Sequence, residues 1–219
     1  MFGKYLCFLV IHNVSDPKID NIILLKVQYI HNKTMDTQTL LDNSDDQNVQ
    51  YRITQLMKDP QYMEKVKPLL NVSNDIHKAL LGWYYYNKSD YGNMLKLLDK
   101  HDCGLSYNII GFYYENIKKD IKSALEYYFL SMDKGCCFAY NNVGYNYMTG
   151  EQIKQNYCEA VLYLYKSAEL GCGSGYRFIG DMYYDGVGLD KNINNAIKYY
   201  KMAEQSGCIL PDNIKKLLI

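Results

Sequence analysis

The sequence predicts an all-α chain: an αα-superhelix, or solenoid, of helix-turn-helix repeats that follows an N-terminal extension of unassigned structure. Three observations predict it. Gly135, Gly171 and Gly207 recur every 36 residues, and each is followed by a cysteine, Cys136, Cys172 and Cys208. Eleven residues before each glycine stands an alanine (Ala124, Ala160, Ala196), with a tyrosine three residues later (Tyr127, Tyr163, Tyr199). No proline interrupts the chain between Leu69 and Leu210, and of 15 glycines only Gly3 precedes Gly82. A fixed period without proline, punctuated by glycine, is the pattern of stacked helix pairs.

Along the chain, residues 1–74 form one region and residues 75–219 the solenoid. Met1 to His12 and Ile22 to Ile30 are apolar enough for strands or short helices, Thr37 to Gln50 is a polar connector, and Val49 to Leu70 suits two short helices broken at Pro60 and Pro68. A degenerate leading copy then carries Leu81-Gly82, Trp83 to Tyr86, Met94 to Leu98 and a stop at Cys103-Gly104. In the three copies that follow, the first helix, A, reads small, Tyr, x, x, aliphatic, Gly. Its examples are Ser106-Tyr107 to Ile110-Gly111, Ala139-Tyr140 to Val143-Gly144 and Gly175-Tyr176 to Ile179-Gly180, with Tyr114, Tyr147 or Tyr183 three residues further on. These positions are four apart and share one helical face, where the glycine lets another backbone come close. The second helix, B, carries the stripes Ala124, Tyr127 or Tyr128, Ser131; Ala160, Tyr163, Leu164, Ser167; and Ala196, Tyr199, Tyr200, Ala203. It ends where a left-handed residue stops a helix at little cost, at Gly135, Gly171 and Gly207. The A-to-B connections run through Gly150, through Gly186-Val187-Gly188, and through a shorter crossing near Asn116 to Asp120. In the tail, Asp212 is expected to cap a final helix whose Ile214, Leu217 and Leu218 cover the last repeat.

The composition excludes several function classes. The 24 Lys+Arg balance 24 Asp+Glu, so the chain lacks the electrostatic footprint of a nucleic-acid or anionic-membrane binder. No apolar run has the length of a membrane span, and Tyr5 to Ile11 after Lys4 makes a poor signal peptide. Seven cysteines without a CxxC pair, and four histidines (His12, His31, His77, His101) without metal spacing, predict no metal, no cofactor and a reducing, cytoplasmic setting. The sequons at Asn13, Asn32, Asn71 and Asn87 are explained by the abundance of asparagine, and the Asn, Lys, Ile and Tyr enrichment fits an AT-rich genome. His101-Asp102-Cys103 has the residue types of a nucleophile and base, but consecutive residues at a helix end point apart. Gly186-Val187-Gly188 lacks the third glycine and the preceding strand of a dinucleotide fingerprint.

The copy Ile179-Gly180-Asp181-Met182-Tyr183-Tyr184-Asp185-Gly186-Val187-Gly188 with Asn195-Ala196-Ile197-Lys198-Tyr199-Tyr200-Lys201-Met202-Ala203-Glu204 resembles the Sel-one-like repeat, a relative of the tetratricopeptide repeat. Leu164-Tyr165-Lys166-Ser167-Ala168-Glu169-Leu170-Gly171 resembles it nearly as well, and the resemblance spans roughly 75–208 in three to four copies. It implies a scaffold or adaptor that binds other proteins along its concave surface and has no catalysis. Secreted bacterial relatives carry a disulfide within each repeat. Here each unit keeps one cysteine after the glycine and lacks a local partner, so the cysteines are expected to be small buried residues of the turn.

Two readings of the 24 tyrosines compete: an aromatic groove or packing. Tyr114, Tyr147, Tyr183, Tyr127, Tyr163 and Tyr199 hold repeat columns and are therefore expected to pack. Function is expected where the columns vary. On helix A the positions three before, one after and four after the glycine carry Asn108, Phe112 and Glu115; then Asn141, Tyr145 and Met148; then Arg177, Asp181 and Tyr184. Of these, Asn108, Phe112, Asn141, Tyr145, Arg177, Asp181 and Tyr184 are the expected partner-binding residues. The competing reading makes residues 1–74 an enzymatic or membrane-associated module that the repeats merely dock. Enlarging Ala160 or Ala196 should overpack the repeat interface.

Overall fold

The computed structural model describes residues 64, 67–71, 73–99 and 102–218. The expectations for Met1 to His12, Ile22 to Ile30 and Thr37 to Gln50, most of those for Val49 to Leu70, and His101 lie outside the described residues. After a short 3-10 turn at Lys67–Leu69 come four helix pairs: α1 (Asp75–Asn87) with α2 (Tyr91–Leu98), α3 (Gly104–Tyr113) with α4 (Ile121–Asp133), α5 (Cys137–Thr149) with α6 (Tyr157–Glu169), and α7 (Gly173–Asp185) with α8 (Ile193–Gln205). A short α9 (Asp212–Lys215) runs into a 3-10 turn at Lys216–Leu218. The odd-numbered helices α1 to α7 are the A helices and the even-numbered α2 to α8 the B helices. Each A packs on its own B and on the next A, and each B packs on the A that follows. This is the one-dimensional stacking of a repeat array.

The helix starts follow from the sequence. Every B helix begins on an Asx cap: the side-chain oxygens of Asp90, Asp120, Asn156 and Asn192 accept first-turn backbone N–H groups. The helices α3, α5 and α7 begin instead on Cys103, Cys136 and Cys172, none of which makes a side-chain cap bond. These thiols are buried, at 8%, 6% and 0% exposure, and Cys208 holds the equivalent place at 7%. The column therefore serves packing, as expected.

The helix ends are equally regular. Gly135, Gly171 and Gly207 adopt φ of +72°, +95° and +83°. In each turn the glycine N–H reaches three residues back and the cysteine N–H five residues back, for instance Gly135 N to Met132 O at 2.8 Å and Cys136 N to Ser131 O at 3.1 Å. That is the paired bonding of a Schellman stop, which needs a left-handed residue. The A-to-B corners use Gly150 and Gly186, but in the second pair the left-handed position is Lys119, at φ +57°. There helix A widens into a π turn, Tyr114–Lys118, before it stops.

The expectation about glycine is refined. Backbone of the B helix does come close to Gly111 and Gly144, with Ala124 O and Leu164 N each 3.1 Å from a Cβ placed there, but at these two and at Gly180 the nearest atoms belong to a side chain of their own B helix. A Cβ would lie 2.8 Å from the Tyr128 ring, 2.8 Å from Leu164 Cγ and 2.6 Å from the Tyr200 ring, respectively, and at Gly82 it would lie 2.6 Å from Leu98 Cδ1. A closer backbone approach occurs at the small position five residues before Gly180, where a Cβ on Gly175 would stand 2.6 Å from Leu164 O of the preceding repeat. Ala124, Ala160 and Ala196 are fully buried beside these seats. At the far end Ile214 is buried, and Leu217 and Leu218 pack against the cluster built on Tyr200 and Cys208. Asp212, however, is not the cap: Pro211 precedes the helix and Asp212 is its first residue, bonded to Lys215 at 3.2 Å.

Two glycine-to-alanine substitutions separate seat from propensity. Gly180→Ala forces the Tyr200 ring to move and is expected to destabilise by about 1–3 kcal/mol through overpacking. Gly92→Ala, on a helix with nothing near its Cβ position, is expected to stabilise by about 0.5–1 kcal/mol. Urea denaturation followed by circular dichroism measures both.

Candidate functional site

The recurring tyrosines sort themselves before any surface is considered. Tyr114 stacks on Tyr127, Tyr147 on Tyr163 and Tyr183 on Tyr199, with centroids 5.4, 5.7 and 5.5 Å apart and planes within 11°, 13° and 11°. A third ring, Tyr107, Tyr140 or Tyr176, stands 6.4 Å from the B-helix member each time. Three triads of like geometry thus hold A to B at one edge of each repeat, and their half-buried rings are engaged in packing. Tyr165 adds a hydroxyl-to-hydroxyl bond with Tyr199.

The variable columns of the A helices behave differently. Tyr145 and Tyr184 are exposed, at 39% and 38%. Tyr145 lies against Phe178, at 5.1 Å between centroids, and the Arg177 guanidinium sits 4.0 Å above the same Phe178 ring. Arg177 Nη1 also donates to Asp181 Oδ2 at 2.9 Å, while Tyr200 donates its hydroxyl to Asp181 Oδ1 at 2.9 Å. Burial raises the Asp181 carboxyl above its ordinary range, and Arg177 and Tyr200 pull against that rise. Burial, then the neighbouring Asp181, pushes Tyr200 far up. At the other end of the row Trp83 and Tyr86 stack at 5.2 Å, and Phe112 meets both, at 5.7 and 5.4 Å.

Between these ends the face is amide-rich. Asn142 donates to Asn108 at 3.0 Å, and Asn108 is itself buried, at 6% exposure, so it forms floor and not rim. Asn141 is half-buried, with its Oδ1 sealed from solvent and unbonded. Glu115, read from the sequence as part of the surface stripe, is also buried, at 6%. Its carboxylate accepts the Tyr128 hydroxyl at 2.5 Å, Asn146 Nδ2 at 2.5 Å and Gln152 Nε2 at 3.5 Å. Burial and then the Glu115 charge drive the Tyr128 phenol well above its usual range. Tyr86 is raised to about 12 by burial, with Tyr91 and Glu115 adding to it. The signal that could have placed Glu115 inside is its B-helix partner: among adjacent aromatic pairs it is Tyr128, not Tyr127, that enters the core.

Two sequence expectations concern cysteines. Asp102 pairs with Lys134 at 2.5 Å and with the Tyr107 hydroxyl at 3.3 Å, and Cys103 is a buried helix-start residue, while His101 lies outside the described residues. Cys172 is a free thiol, as expected of a cysteine without a disulfide partner in its repeat; Cys137, likewise a thiol, shares its buried cluster, and the neighbouring Cys172 together with burial raises the Cys137 thiol well above its ordinary range. Among the described residues no group of three or more His, Cys, Asp or Glu could hold a metal ion, and no helix is long and apolar enough to cross a membrane.

The buried carboxylates differ in what else holds them. Tyr128→Phe removes a hydroxyl from a carboxylate sealed from water and is expected to cost about 1.5–3 kcal/mol, the range for hydrogen bonds to charged groups. Tyr200→Phe is expected to cost less, because Asp181 keeps Arg177 and has a quarter of its side chain open to water. Chemical denaturation of the two variants side by side reads the difference.

Comparison with known proteins agrees with this architecture. The family model described as Sel1 repeat matches residues 110–136, 137–172 and 174–208, leaving the leading pair α1/α2 unmatched. A solved Sel1 repeat protein from Oxalobacter formigenes is 27% identical over 59% of this chain and 54% of that one, with a TM-score of 0.51. A protective antigen of uropathogenic Escherichia coli strains, described as displaying an SLR fold, is 20% identical over 84% of this chain and 45% of its own, with a TM-score of 0.48. The chain spans about half the length of these structures. No curated protein matches it. Sel1 repeats are generally protein-interaction modules. With the 36-residue period and the glycine stops in register with the matched segments, residues 110–136, 137–172 and 174–208 match three consecutive Sel1 repeats.

Proposed function

We propose that this chain is a non-catalytic scaffold or adaptor that docks partner proteins on its A-helix face, the concave side of the superhelix. Tyr145, Tyr184, Arg177 and Asp181 supply the contacts at one end and Phe112 at the other, with Asn141 between them and Asn108 as floor. The single observation that carries this reading is the exposure of Tyr145 and Tyr184 on one face, with Tyr145 and the Arg177 guanidinium both against the Phe178 ring. In the neighbouring columns every tyrosine of the triads is engaged in packing. Aromatic side chains and arginine are the residues that anchor protein interfaces, the aromatics because they bury large rigid area at small entropic cost. Variation from repeat to repeat along this face suits recognition of one particular partner, whereas the invariant columns suit assembly of the array. A reducing compartment fits the use of Cys136, Cys172 and Cys208 as buried thiols.

A photoreactive phenylalanine analogue at Tyr145 or Tyr184, expressed in the native cell, is expected to crosslink the same protein from both positions. The same analogue at Leu162, on a B helix and 65% exposed, is expected to give no such adduct. Equal yield from Leu162, or no adduct from either tyrosine, refutes the face. Tyr184→Ala is expected to leave stability within about 0.5 kcal/mol, whereas Tyr145→Ala, which also loses the Phe178 ring, is expected to cost about 0.5–1.5 kcal/mol.

A further inference from the structure

We propose that the second helix pair holds a guanidinium subsite, in which the Glu115 carboxylate receives an arginine side chain of the protein docked on the A-helix face. The proposal rests on the docking reading above and names the chemistry of one contact within it.

The fourth helix pair shows such a subsite in completed form. Asp181 accepts the Tyr200 hydroxyl on one oxygen and the Arg177 guanidinium on the other, and the guanidinium lies over Phe178, 4.0 Å from its centre. Phenol, carboxylate, guanidinium and aromatic ring form one set. The second pair repeats three of the four members. Tyr128, which is equivalent to Tyr200 at a distance of two periods, donates to Glu115; Phe112 lies one turn earlier on the same helix and packs on Tyr86 at 5.4 Å, and the Tyr86 phenol is raised partly by the Glu115 charge. The guanidinium is missing. At the column where Arg177 sits, the second pair carries Asn108, already engaged by Asn142.

Glu115 is 6% exposed and, among the described residues, makes no ion pair; its partners are Tyr128, Asn146 and Gln152. A carboxylate removed from water without a counter-charge is costly, and buried charges are normally paired. The weakest of the three contacts is also the way in. Gln152 belongs to the α5–α6 connector, is itself partly open to solvent, and reaches Glu115 Oε1 only at 3.5 Å. Displacing it forfeits little and frees one acceptor position on Oε1, which keeps its bond from Asn146. Arginine fits better than lysine, since a planar fork can bond the carboxylate while its face lies on a ring, as Arg177 does.

The test uses the full chain and acetyl-arginine amide as probe, followed by NMR through the side-chain amides of Asn146 and Gln152. Saturable shifts at a Kd on the order of 1 mM are expected, with acetyl-lysine amide weaker and acetyl-glutamate amide without effect. Gln152→Ala removes the competing amide and is expected to tighten arginine binding several-fold, while Glu115→Gln is expected to weaken it by roughly tenfold or more. Binding that is absent from both the native chain and Gln152→Ala overturns the subsite, as does binding unaffected by Glu115→Gln. Because Gln152→Ala touches only a connector residue, its gain or lack of gain decides the matter even if Glu115→Gln disturbs folding. Crosslinking from Tyr145 and Tyr184 without arginine binding sinks the subsite and leaves the docking face standing. Arginine binding without any crosslinked partner does the reverse.

Discussion

Closing an A helix onto its B helix requires one position on A that carries no side chain, and the rest of the repeat is arranged around it. Gly82, Gly111, Gly144 and Gly180 receive Leu98, Tyr128, Leu164 and Tyr200, with no room for even a methyl group. When leucine fills the seat, nothing further is demanded. When tyrosine fills it, the ring carries a hydroxyl into the interior, and a buried hydroxyl without an acceptor is costly. The chain answers twice, with different residues: Glu115 stands four positions after Gly111, and Asp181 one position after Gly180. In the pair seated by Leu164 those two columns hold Met148 and Tyr145, and no acid occurs. Tyrosine and acid therefore appear and vanish together within a single sequence.

The same coupling decides what the A-helix face shows to the outside. Where Leu164 needs no acceptor, Tyr145 is released to the surface. Where Tyr200 takes Asp181 at the nearer column, the farther column is free and carries exposed Tyr184. Where Tyr128 takes Glu115 at the farther column, the nearer one carries Phe112, which joins Trp83 and Tyr86 across the repeat boundary. Repeat-to-repeat difference on this face is thus partly a consequence of core packing, and it leaves a different aromatic at the surface each time.

Most of the fold was legible because its signals are local. Glycine stops, Asx caps and small columns act within a few residues, and their spacing fixes helix pairs and stacking order. The adjacent tyrosines at 127–128 and 199–200 were not resolved, since neighbours on a helix differ by only about 100° and either could face inward; the structure turns Tyr128 and Tyr200 to the glycine and Tyr127 and Tyr199 to the triads. Asn108 and Glu115 read as surface because they are polar, yet each is buried with a partner some 30 residues away or on the opposing helix, and periodicity carries no record of such pairs. Asp212 misled for a simpler reason: Pro211, one residue earlier, already occupies the start of the helix.

The shortened corner of the second pair shows where such an array absorbs change. Its connection from glycine to the B-helix alanine is three residues shorter than in the next two repeats. A deletion of that size could have slid α4 along α3 and broken the Tyr114–Tyr127 stack. Instead helix A swells into a π turn, Lys119 takes the left-handed conformation that glycine holds elsewhere, and the N–H of Asp120 still meets Tyr114 O at 3.0 Å. The equivalent bonds in the longer corners, Asn156 N to Tyr147 O and Asn192 N to Tyr183 O, measure 3.0 and 2.9 Å. The interhelical register is kept and the backbone of the corner bears the strain. Glu115 lies inside that widened turn, so the irregularity falls on the residue that carries the buried charge, in keeping with the tendency of π bulges to accompany functional positions.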